Sequence, residues 1–109
     1  MTQPVDLTNL REMTDGDSEM EKELFEEFFL SSDACIAGLD ANTAGGENEA
    51  WRKHAHALKG TALNLGAESL SAVCKHAQES HGASAEEKHA MLASIKAEYA
   101  RVKDYLTSL

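Results

Sequence analysis

His56, Lys59 and Gly60 make the one constellation in this chain whose spacing suits chemistry. From Ala55 to Gly66 the sequence reads A-H-A-L-K-G-T-A-L-N-L-G. Apolar residues at 51, 55, 58, 62 and 65 recur at helical spacing, which predicts a helix through the segment. On a helix, residues three and four apart are neighbours, so Lys59 and Gly60 lie one turn from His56. A nucleophilic imidazole thus gains an ammonium for an incoming anion, beside a residue with no side chain to obstruct it. That combination suits a histidine that accepts and gives up a phosphoryl group.

A helical wheel decides whether this histidine faces the core. Trp51, Ala55, Leu58, Ala62 and Leu65 fall within about 80° of arc and define the buried stripe. Measured from its centre, His56 lies about 140° round, Lys59 about 80° and Gly60 about 180°. The imidazole is therefore expected in water. Glycine costs about 1 kcal/mol in a helix interior relative to alanine, so Gly60 implies a steric need. Close approach of a partner's loop is one such need, and tight packing of another helix is the alternative. Leu63 shares the outward sector and is a contact for a docking protein, although a single exposed leucine is also ordinary. Arg52 and Lys53 add positive potential nearby, or are simply solvated.

The wider pattern is helical throughout. A loose tail over 1–5 precedes a short helix at about 7–13, with Asp6 as its cap and Leu7, Leu10 and Met13 on one side. Thr14-Asp15-Gly16-Asp17 breaks it. Ser18 and Glu21 form a capping-box pattern opening a helix at about 18–43, stopped by Gly45-Gly46. Within it Leu24, Phe25, Phe28, Phe29, Cys35, Ile36 and Leu39 form a core stripe. Asn48 caps the helix at about 49–65 that carries the histidine, and Gly66 ends it. A helix at about 67–81 shows Leu70, Val73, Cys74 and Ala77 on one face. The last, at about 85–107, opens on a second capping box, Ser84 and Glu87. It carries a seam of Leu92, Ile95, Tyr99, Val102 and Leu106. Four amphipathic helices with short loops predict an all-α, antiparallel up-and-down four-helix bundle with a short additional N-terminal helix.

Composition narrows the function classes. The 109 residues suffice for a single domain, and 42% apolar with 27% charged residues is ordinary for a globular protein. A net charge of −9 opposes nucleic-acid binding. No apolar run reaches the length of a membrane span and no signal-peptide pattern opens the chain, so a cytoplasmic location is expected. Cys35 and Cys74 read as a reduced, buried pair. His54 and His56 point about 200° apart on a helix, and His76, His81 and His89 lack the i,i+4 pairing of helical zinc sites. No metal site is expected. No glycine-rich phosphate loop, Ser/His/Asp series or carboxylate dyad is present.

The run His56, Leu58, Lys59, Gly60 and Gly66 resembles the core motif of histidine-containing phosphotransfer (HPt) domains of two-component phosphorelays, H-x-L-K-G followed by a glycine. The looser resemblance of the helix pattern covers essentially the whole chain. It implies that His56 is the phosphoacceptor and that the partners are receiver domains of response regulators or hybrid sensor histidine kinases. It also implies that no cofactor is bound, Mg2+ being supplied by the receiver. HPt domains often carry a polar residue on the neighbouring helix that hydrogen-bonds the histidine or its phosphoryl group, and Gln78 takes that role here. A monomer is the simplest expectation. Two related readings stay open at this point. One is a module that docks receivers without being phosphorylated, and the other is the phosphoacceptor domain of a chemotaxis-type kinase.

Overall fold

The computed structural model describes residues 4–44 and 47–109. Five helices follow one another: α1 (Thr8–Thr14), α2 (Ser18–Asp40), α3 (Asn48–Leu65), α4 (Glu68–Glu79) and α5 (Ala85–Thr107). α2 packs on α3, α3 on α4, α4 on α5 and α5 back on α2, while α1 lies against α2. Short connections between consecutive neighbours make this an up-and-down bundle, all-α as the sequence predicted.

Each helix turns its apolar stripe inward. α3 buries Trp51, Ala55, Leu58, Ala62 and Leu65, and α5 buries Leu92, Ile95, Tyr99, Val102 and Leu106. α4 contributes Leu70, Cys74 and Ala77. The indole of Trp51 is fully buried, and its Nε1 donates to the Ala77 carbonyl at 2.9 Å, so its polar edge is satisfied. Both cysteines are free thiols; Cys74 is buried as expected, but Cys35 is only half-buried.

Several boundaries differ from the sequence reading, each for a local reason. Val5 is buried against the core instead of lying in a loose tail, and residues 1–3 fall outside the described residues. The next residue, Asp6, donates its N–H to the Gly66 carbonyl at 2.9 Å, strapping this segment across the end of α3. Asp6 also accepts from the Thr8 N–H, and those Thr8 hydrogen bonds hold its carboxyl below the usual carboxylate range. Met13 is exposed, and Thr14 takes the buried place at the end of α1.

Asp17, not Ser18, caps α2: its carboxylate accepts from the Glu19 and Met20 N–H groups at 3.0 and 3.2 Å. A charged acceptor at the extended position just before the helix meets the orphan donors, which leaves Ser18 one residue inside. α2 stops at Asp40 because Asn42 turns back on it, its side-chain amide taking the Gly38 carbonyl at 2.6 Å. The glycine pair predicted to stop it, Gly45-Gly46, lies outside the described residues.

Asn48 does not cap α3. It is the first helical residue, and its side-chain oxygen accepts from Lys88 Nζ at 2.7 Å. Lys88 was no part of the predicted seam, yet it is fully buried, with Nζ 5.6 Å from the centre of the Trp51 ring. α4 ends at Glu79, two residues early, where the Ser80 N–H closes on the His76 carbonyl. At the start of α5 Ser84 caps as predicted, its Oγ accepting from the Glu87 N–H, but the Glu87 carboxylate accepts from the Ser84 hydroxyl, so half of the predicted capping box forms.

Candidate functional site

The turn after α3 fixes the helix that carries the histidine. Gly66 adopts φ +92, and the N–H groups of Gly66 and Ala67 both reach the Ala62 carbonyl, a Schellman closure. A Cβ at Gly66 would also run into the carbonyl oxygen of Asp6. Positive φ and close backbone approach both require glycine here.

With the core face of α3 set by its five buried residues, the opposite face is left to solvent. His56 is exposed, Lys59 and Gly60 are half-buried, and Leu63 is 55% exposed. A Cβ at Gly60 would meet nothing within 4 Å, so no neighbouring helix in this fold requires a glycine there. That removes tight helix packing as the reason for Gly60 and leaves its bare backbone open to whatever approaches His56. Lys59 forms no ion pair among the described residues.

The other residues predicted for the site divide. Arg52, one turn before His56, is engaged by Glu49 through two hydrogen bonds of 2.6 and 3.2 Å. The pair holds the Glu49 carboxyl below its usual range and pushes the Arg52 guanidinium further up. Arg52 is therefore spoken for within its own helix. Lys53 is exposed and adds to the positive field on Glu49. Gln78 is half-buried on α4; its side-chain oxygen is buried and has no hydrogen-bond partner among the described residues. Its backbone carbonyl lies 3.1 Å from Nδ1 of His81.

α4 has two flanks. Val73 and His76 line a cleft with Ala90, Met91 and Ser94 of α5, so they mark the α5 side. Ser71 and Gln78 occupy the other flank, turned to α3. On α3, Lys59 and His56 lie to the α4 side of the buried stripe. The α2 side is marked by Thr61 and Asn64, which border a cleft of about 350 Å³ with Leu10, Met13 and Phe28. His56, Lys59 and Gln78 thus border the same α3–α4 groove.

The sequence reading missed what His54 does. Its half-buried ring lies over Gly38 of α2, so closely that a Cβ there would collide with Nδ1, Cε1 and Cγ. A glycine inside a long helix was the available signal for such an approach. His54 and His56 accordingly serve different surfaces. Among the described residues, no three His, Cys, Asp or Glu side chains gather closely enough to hold a metal ion. Among the same residues, no helix is long and apolar enough to cross a membrane.

The chain, which presents a histidine, a lysine one turn on and an unobstructed glycine on one helix, matches the model of one family, the Hpt domain, over residues 23–106. The chain belongs to the Hpt domain family, and with it to the phosphotransfer proteins of two-component systems, whose members interact with receiver domains. No curated protein and no solved structure matches it significantly.

Proposed function

We propose that this protein relays phosphoryl groups between receiver-domain aspartates, with His56 as the phosphorylated residue. An imidazole nitrogen of His56 attacks the partner's aspartyl phosphate in line. The N–P bond forms as the acyl P–O bond breaks, the aspartate leaves as carboxylate, and the ring N–H proton passes to solvent. A second receiver aspartate then takes the phosphoryl group by the reverse displacement.

The chain's contribution is positioning and charge. Lys59 offers a point charge to the equatorial oxygens in the transition state and in the phosphorylated product. Gly60 lets the partner's active-site loop come within contact distance, and Leu63 gives it an apolar footing. Lys53 strengthens the local positive field, and Arg52 contributes what its pairing with Glu49 leaves. Gln78 can hydrogen-bond the imidazole or its phosphoryl group, which would satisfy its orphaned amide oxygen or, in the flipped orientation, use its N–H donors. The protein itself carries no nucleotide and no metal: Mg2+ sits in the acidic pocket of the receiver. It works as a monomer in the cytoplasm.

The observation that carries this reading is the exposure of His56 on a helix whose next turn supplies Lys59 and an open Gly60. The test is incubation with a radiolabelled phospho-receiver. Acid-labile, base-stable label on the wild type and none on His56→Gln is the expected result. Label that persists on His56→Gln would overturn the assignment.

A further inference from the structure

The flank of α4 that borders the His56 groove carries one more side chain. Lys75 falls four residues after buried Ser71 and three before half-buried Gln78, on the row that faces α3. Val73 and His76, which mark the α5 side, lie on the other side of the helix. Lys75 sits higher on its row than Gln78, and it is exposed.

The register between the two helices brings it level with the histidine. α3 and α4 run antiparallel from the two-residue turn at Gly66 and Ala67. At 1.5 Å per residue, His56 stands about 14 Å from Leu65 and Lys75 about 11 Å from Glu68, so the two differ by less than one turn. Further from the turn, the Trp51 indole bridges the same two helices to the Ala77 carbonyl. Helix axes pack 8–10 Å apart in general, and a lysine stem spans much of such a groove.

Among the described residues, neither lysine of the groove is already engaged by a carboxylate. The chain has 19 acidic residues against 10 Lys and Arg, and Arg11, Arg52, Lys96 and Arg101 each hold a carboxylate. Among the described residues Lys59 and Lys75 hold none, as is also true of Lys22, Lys53, Lys88 and Lys103; what sets the first two apart is their place on the groove. Two lysines left without carboxylates, one on each wall of the groove that His56 borders, form an arrangement for a multiply charged anion.

We propose that Lys75 is a second cation for the phosphoryl group on His56, closing on it from α4 while Lys59 holds it from α3. This rests on the assignment of His56 as phosphoacceptor and extends it: a phosphoryl held between two helices, not by one. The interaction acts on the phosphorylated state and on transfer into it, and it weakens with salt, because Lys75 is exposed.

Phosphoramidate, used as a small phosphodonor on the full chain, tests this without a partner protein. Phosphorus bonds to the His56 imidazole as its bond to the amide nitrogen breaks, and the leaving ammonia ends as ammonium with the proton the imidazole sheds. Phosphorus NMR then gives the rate of phosphorylation and the pH midpoint at which the bound phosphoryl group takes up a proton. Lys75→Gln is expected to slow phosphorylation about three- to fivefold and to raise that midpoint by about half a unit, the size of a screened single-charge interaction. Lys75→Arg restores both, and Lys103→Gln on α5 changes neither. Unchanged rate and midpoint in Lys75→Gln, or an equal effect from Lys103→Gln, overturns the proposal while leaving His56 as acceptor intact. A wild-type protein that phosphoramidate does not label at His56 defeats the underlying assignment instead.

Discussion

The contact between Gly38 and His54 lends itself to a quantitative test of how α2 positions α3. Ordinarily Gly→Ala inside a helix stabilises by about 1 kcal/mol, through backbone entropy and solvent shielding. At Gly38 the added Cβ would stand 2.6 Å from His54 Cγ and closer still to two other ring atoms. Overpacking of that kind costs about 1–3 kcal/mol, since either the ring leaves its place or the two helices separate. Gly38→Ala alone is therefore expected to be neutral to destabilising by up to about 2 kcal/mol. In a His54→Ala background the obstruction is gone, and the same substitution should stabilise by about 1 kcal/mol. Urea denaturation of the four proteins closes the cycle, and the expected coupling is about 1–3 kcal/mol. A domain of this size shifts about 4–8 °C in melting temperature per kcal/mol, so the difference is measurable thermally as well. Gly38→Ala that stabilises the wild type as much as it stabilises His54→Ala would refute the claimed contact.

Two further outcomes follow from the structure. Gly60→Ala meets no atom in this fold, so it should raise stability by about 1 kcal/mol in denaturant titration, yet slow phosphoryl exchange with a receiver, whose loop needs that space. Stability should also fall on the alkaline side. Burial pushes the Cys74 thiol from 9.0 up to about 12, and burial with the Asp33 carboxylate beside it pushes the Tyr99 hydroxyl above its usual 10.0. Both groups deprotonate more readily when unfolded, so their contribution is intact below about pH 9 and drains away as the pH climbs toward the folded-state values. Urea midpoints measured from pH 8 to 11 should decline, and the decline should be shallower in Cys74→Ala combined with Tyr99→Phe.

The apolar periodicity of the sequence carried most of the fold. On α3 it named all five buried residues, and with them the side on which His56 emerges, because one stripe fixes every other angle on a helix. What it did not carry were choices made between competing polar groups. Asp17 and Ser18 are both good caps, and only the backbone angle at Asp17 decides between them. Asn48 looks like a cap until Lys88, forty positions later, claims its oxygen. Lys88 reads as a solvated lysine in any local window; its burial depends on an indole and an amide supplied by another helix. Val5 went unnoticed because one apolar residue beside a proline has no period. At the site, the side of α4 that meets α3 is likewise invisible in sequence, since it depends on which neighbour each flank acquires.

The buried ammonium of Lys88 gives the bundle a particular order of dependence. The first turn of α3, the helix that carries His56, has no side-chain cap, and the side chain of its first residue is held by a group from α5, which is synthesised later. A ribosome-bound chain that has emerged only as far as Ser84 therefore possesses the histidine and its lysine but not the anchor for the start of their helix. Anchoring of the start of α3 is thereby coupled to the arrival of α5.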